Sequence, residues 1–180
     1  LCFCLTVQAK VAVPKIFSDN MVLQRETPIA VWGSAAAGER ITVTLNKQNV
    51  SVVADEGGKW SVKFQPEKAA TNLTLRISGE NTIDIKNVAI GEVWLCSGQS
   101  NMEWSVVQSV NAAQELSAAK NPDIRQIKIA KSISSTPLDD FSEGSWLVSD
   151  PQNAKDFTAI GYFFARDLYR ELKVPIGIIN

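Results

Sequence analysis

Histidine is absent from all 180 residues. An imidazole is the usual carrier of a nucleophile's proton near neutral pH, so chemistry that needs one must borrow it from outside these residues. Cysteine is scarce. Cys2 and Cys4 lie in the first four residues, and Cys96 alone cannot form an internal disulfide. Basic runs are missing too: 18 Lys and Arg balance 19 Asp and Glu, for a net charge of −1. That excludes the electrostatic footprint of a nucleic-acid binder or of a protein held on an anionic membrane surface. No apolar run beyond the first residues is long enough to span a bilayer. Small molecules and carbohydrates remain as partners.

What is present is a globular composition, 45% hydrophobic, enough for one good core or two small ones. The first nine residues, Leu1 to Ala9, are apolar and end in Val7-Gln8-Ala9. This fits the small-residue cleavage rule of a secretory signal, which puts the mature start at Lys10 and takes Cys2 and Cys4 away with the leader. The chain has no initiator Met and ends in an apolar, strand-like run, Pro175 to Asn180. The expectation is a fragment of a longer enzyme.

From Val11 to about Ile90 short alternating stretches are separated by turn residues, which predicts a β-sandwich over residues 10–90. Ile29 to Trp32 and Ile41 to Leu45 are strands. Val50 to Ala54 is expected to pair with Trp60 to Phe64 across Asp55 to Gly58, and Leu73 to Ile77 with Ile83 to Ile85 across Ser78 to Asn81. Trp32 and Trp60 are either core residues or sugar-stacking platforms, and core is expected because large aromatics contribute most when buried. The sequons at Asn49 and Asn72 carry little weight.

At Gly91 the pattern changes to longer units. The apolar run Val93 to Cys96 reads as one buried strand that breaks at Ser97-Gly98 and hands over to a turn and a helix. Helices are predicted over Val106 to Ala119, stopped by Asn121-Pro122, and over Phe157 to Leu172 with Ile160, Phe163, Phe164 and Leu168 inward. Strands fall at Ile124 to Ala130 and from Pro175 onward, and Ser132 to Asn153 is a long loop of the kind often given to function. Strand, helix, strand, helix, strand predicts parallel pairing with right-handed crossovers, so residues 91–180 form the first part of an α/β/α domain. Ser100 then lies after the first strand, where open α/β sheets bind ligands and where helix-opening amides can stabilise an oxyanion.

Gly98-Gln99-Ser100-Asn101-Met102-Glu103-Trp104, preceded by Gly91-Glu92-Val93-Trp94, resembles the nucleophile block of the sialate O-acetylesterase family within the SGNH hydrolases. It differs from the elbow of α/β-hydrolases, since Met102 stands where a second Gly would be. Ser18 to Arg25, Phe157 to Ala165 and Val174 to Asn180 are similar to the same family, so the resemblance covers nearly all of the mature chain. It implies removal of O-acetyl groups from sialic acids or related sugars, with no metal and no organic cofactor, in a secreted, periplasmic or lysosomal setting. It implies Ser100 as the nucleophile and its backbone N–H as one oxyanion donor. A downstream Gly, an Asn and an Asp-x-x-His pair complete the superfamily's site, and none is here, which makes the remaining carboxyl-terminal half a partner.

Gln99 and Asn101 flank the nucleophile as substrate-side residues that shape the turn and its pocket, since an amide is no base at neutral pH. Glu103 is read as a helix-start carboxylate and Cys96 as an inert strand thiol. Trp104 either lines the acyl pocket or packs the first helical turn. The competing expectations are a non-catalytic carbohydrate-binding β-module and an esterase of acetylated polysaccharide.

Overall fold

The computed structural model describes residues 10–180, and the predicted signal remnant, residues 1–9, lies outside the described residues. The architecture is mixed and sheet-dominated, with few helices. In chain order the elements are β1 (Val22–Gln24), β2 (Ile29–Ser34), β3 (Arg40–Leu45), β4 (Gln48–Val53), β5 (Lys59–Phe64), β6 (Ala70–Ser78), β7 (Thr82–Leu95), α1 (Ala112–Ala118), β8 (Asn121–Ile127), β9 (Trp146–Ser149), α2 (Ala159–Leu172) and β10 (Ile176–Ile179). Short 3₁₀ turns lie at Ser100–Glu103, Val106–Gln108 and Ala154–Asp156. Among the described residues no helix is long and apolar enough to cross a membrane.

The axis of the molecule is β7, fourteen residues long and unbroken through Gly91. Its first part pairs antiparallel with β6, and its last four residues pair parallel with β10, giving one sheet ordered β4-β3-β6-β7-β10-β8-β9. A Cβ at Gly91 would collide with the carbonyl of Pro175, so the glycine lets β10 start against β7 at that point. β1 lies parallel along β7, with Leu23 opposite Ile90. There Arg25 Nε donates to Glu92 at 2.7 Å, and Gln24 Oε1 accepts from the Val93 amide at 2.8 Å. The two motif segments, Ser18 to Arg25 and Gly91 to Trp94, are thus bonded to each other.

The strand alternation in the first eighty residues buries one face of each strand. Val31, Ile41, Val43, Leu45, Phe64, Leu75 and Ile77 are all enclosed in one apolar cluster. The β6–β7 hairpin forms as expected, with Ile77 opposite Ile83. The expected pairing of Val50 to Ala54 with Trp60 to Phe64 does not form. β4 pairs with β3, and β5 pairs with β2 in a separate two-stranded sheet. Asp55 to Gly58 carries the chain between sheets, with Gly58 at φ +72° and the Asp55 carboxylate accepting from the Lys59 amide. Alternation shows which face of a strand is apolar, not which strand lies beside it.

A second apolar cluster joins α2 to the parallel strands through Tyr162, Ala165, Phe157, Ile124, Ile176 and Ile178. The predicted inward stripe of α2 holds at Phe163 and Leu168, which pack against this cluster, and fails at Ile160 and Phe164. Gly161 and Ala165 face the sheet and allow close approach, whereas Ile160 and Phe164 are 48% and 41% exposed, Phe164 meeting Trp94 edge-on at 5.0 Å. The predicted helix over Val106 to Ala119 is also interrupted. Ser109 Oγ donates back to the Val106 carbonyl, Asn111 turns left-handed at φ +60°, and only Ala112–Ala118 is α-helical. Short polar side chains compete with helical bonding in this way. β8 begins at Asn121, and Trp146–Ser149 of the predicted loop pairs antiparallel with it as β9.

The two clusters are fastened by Arg125, 2% exposed in the middle of β8. Its guanidinium donates to the carbonyls of Pro122, Asn20 and Asn87 and to Asn87 Oδ1. Burial draws its pKa below the usual arginine value, with Asp123 offsetting part of that effect.

Candidate active site

β7 delivers its carboxyl end to a short turn. The expected buried strand from Val93 to Cys96 is buried only at Cys96; Leu95 is 73% exposed. Burial pushes the Cys96 thiol up, away from thiolate, and its sulfur faces Gly161 of α2. After Cys96 the chain turns through Ser97-Gly98-Gln99 into the 3₁₀ turn, where the Met102 amide donates to the Gln99 carbonyl at 2.9 Å. Asn180, at the end of β10, ties the turn at both ends, its Nδ2 donating to the carbonyls of Cys96 at 3.2 Å and Met102 at 3.5 Å.

Ser100 opens that 3₁₀ turn and is solvent-exposed. Among the described residues, neither its Oγ nor its backbone amide has a hydrogen-bond partner, and the Asn101 amide has none either. The opening amides of a helix have no acceptor within it, so these two are available to an incoming oxyanion. The side chains of Gln99 and Asn101 are exposed and likewise unbonded among the described residues. The three predicted site residues are therefore contiguous on one exposed turn beyond the end of β7, whose last four residues pair parallel with β10.

Glu103, three residues on, is occupied otherwise. Lys128 and Lys131 approach its carboxylate at 3.6 and 3.5 Å. Trp104 is half-exposed, with its indole N–H bonded to the Gln108 carbonyl at 3.0 Å and its own carbonyl bonded to the Ala159 amide that opens α2. Trp60 is buried, but Trp32 is 45% exposed, so the expectation of a core residue fails there. Its ring stands edge-on against Phe17 at 4.7 Å, leaving one flank on the surface.

Glu103 lines a cavity of about 560 Å³, along with Gln126, Lys128, Lys131, Glu143 and Phe157. The long loop after β8 supplies one wall. Gln126 was not singled out by sequence, although a polar pair, Arg125-Gln126, between Ile124 and Ile127 is the signal that marks it. Gln126 is 3% exposed, and its Oε1 accepts from the Thr158 amide at 3.0 Å. Among the described residues no group of three or more His, Cys, Asp or Glu is gathered to hold a metal.

A crystal structure described as a novel carbohydrate acetylesterase from Xanthomonas citri superposes with a TM-score of 0.93, at 37% identity, over 94% of this chain and 40% of that one. The sheet-dominated fold is therefore similar to the part of that acetylesterase which it overlays. Sialate O-acetylesterase of Mus musculus is 33% identical over 91% of this chain and 34% of its own length, and that of Homo sapiens 31% identical over 90% and 35%. The chain belongs to the sialate O-acetylesterase family. It spans about a third of the length of the curated relatives it matches. No family model matches it.

Proposed function

We propose that this chain carries the nucleophile of a serine O-acetylesterase acting on acetylated sugars, sialic acids or close relatives. The observation that carries the reading is Ser100, an exposed hydroxyl beyond the end of β7 with two unbonded amides at the same turn. Ser100 Oγ attacks the acetyl carbonyl and its proton passes to a base. The carbonyl oxygen, now an anion, takes hydrogen bonds from the Ser100 and Asn101 amides. Collapse breaks the bond to the sugar oxygen, which leaves as a hydroxyl by taking the proton back from the base, and the acetyl-serine that remains is hydrolysed by water to acetate and free Ser100. No histidine exists in this sequence to act as that base. The reading assigns it to a carboxyl-terminal portion, together with the acid that orients it.

The same reading takes residues 10–90 as a β-sandwich and 91–180 as the first part of the SGNH hydrolase domain, placed by residues 1–9 in a secreted or periplasmic setting, or a lysosomal one in a eukaryote. It is tested in the longest natural chain that carries this sequence, by acetate release from O-acetylated sialic acid. Ser100→Ala should lower kcat at least ~10³-fold with the fold intact; undiminished release would refute it. A second reading, a glycan-binding β-module, is favoured by the exposed flank of Trp32. Glycan binding lost in Trp32→Ala, with no hydrolysis by any longer chain, would select it.

A further inference from the structure

We propose that the cavity beside the Ser100 turn is the subsite for the sugar ring, and that Gln126 Nε2 donates a hydrogen bond to an uncharged oxygen of that sugar. The proposal rests on Ser100 being the nucleophile. The orientation of the Gln126 amide is not arbitrary: the Thr158 N–H requires an acceptor, so Oε1 faces Thr158 and Nε2 faces away. Among the described residues Nε2 donates to nothing, and it is not sealed in hydrocarbon either, since the side chain lines the cavity. A side chain this deeply buried ordinarily has its donors paired, so an amide held by one end with the other facing a void is a donor waiting for an acceptor.

Its place suits the chemistry. In the strand register Gln126 aligns with Ile178 of β10, and Ile178 with Trp94 of β7. Gln126 is thus two strand spacings, about 10 Å, from β7 and on the same sheet as the nucleophile's strand. Ser100 itself does not line the cavity, but Glu103, the last residue of the 3₁₀ turn that Ser100 opens, does. Lys128 and Lys131 are both directed to Glu103, and Glu143 and Asp156 add two further carboxylates to the lining. With three carboxylates against two ammoniums there is no surplus cation for an anionic group. The oxygen at Gln126 is therefore a hydroxyl or an acyl carbonyl rather than a carboxylate.

The experiment uses the longest natural chain that carries this sequence, with an O-acetylated neutral hexose and an O-acetylated sialic acid as sugar probes and an aryl acetate as a sugarless one. Gln126→Glu keeps the acceptor for Thr158 and removes the donor. The ratio of kcat/KM for acetylated sugar to kcat/KM for aryl acetate should fall at least tenfold, carried by KM. In Ser100→Ala protein, which holds sugar without turnover, the side-chain amide resonance of Gln126 should shift on titration with either sugar. A well-folded Gln126→Glu with an unchanged ratio, or a Gln126 resonance unmoved at saturating sugar, overturns the proposal. If Ser100→Ala retains full turnover the esterase reading fails by itself, and the resonance still decides the subsite. It decides also if Gln126→Glu does not fold.

Discussion

Replacing Arg125 with Met should cost about 3 kcal/mol of folding stability. The side chain is enclosed in β8 and reaches carbonyls from three places: Pro122 on its own strand, Asn20 before β1, and Asn87 in β7. Each buried carbonyl left without a partner costs roughly 1–3 kcal/mol. Against that loss, removing a buried cation recovers several kcal/mol of desolvation. Three orphaned carbonyls, roughly 3–9 kcal/mol together, outweigh that recovery, which leaves a net cost of about 3 kcal/mol. Lysine separates the two contributions. It keeps the charge and loses the planar fork that meets three carbonyls at once, so Arg125→Lys should be no more stable than Arg125→Met. Equilibrium unfolding in urea with linear extrapolation measures both. A Met variant within 0.5 kcal/mol of the parent, by about the noise of such extrapolations, or a Lys variant that restores full stability, would refute the idea of a clamp between the two cores.

Gly91→Ala should lower stability by about 1–3 kcal/mol, because its methyl meets the backbone of Pro175 rather than a side chain that could swing away; an unchanged urea midpoint would refute the close β7–β10 crossing. Arg76 donates to both oxygens of Asp84, holding that carboxyl below its ordinary pKa. The stabilisation is therefore complete above the ordinary carboxylate range and is lost as pH falls through the lowered value. Arg76→Gln should return the Asp84 carboxyl titration, followed by ¹³C NMR, toward its usual position, and an unmoved curve would contradict the pairing.

The Ser100 turn was legible because strand endings and tight turns are written locally: an apolar run, Ser-Gly, then small polar residues. The β6–β7 hairpin and the α2 segment were legible for the same reason. What failed required knowledge of neighbours. β4 and β5 each alternate cleanly, yet they belong to different sheets, and nothing within either strand distinguishes a hairpin from a crossing. The stripe of α2 is legible at Phe163 and Leu168 and not at Ile160 and Phe164, where bulk alone suggests burial. Small residues took the sheet-facing side instead, where Gly161 approaches Cys96. Gln126 and Arg125 are adjacent on one strand and point to opposite faces, one toward α2 and the cavity, the other toward Asn20 and Asn87. Their roles exist only once β8 is in register with β10, a long-range fact that no local pattern carries.

The most direct measurement is covalent capture of the nucleophile. The longest natural chain that carries this sequence is treated with a fluorophosphonate, and the adduct is located by peptide mass mapping. The account predicts a single phosphonyl group on Ser100, blocked by prior incubation with acetylated sugar and absent from Ser100→Ala; an adduct on any other serine, or none on a chain that releases acetate, would contradict it.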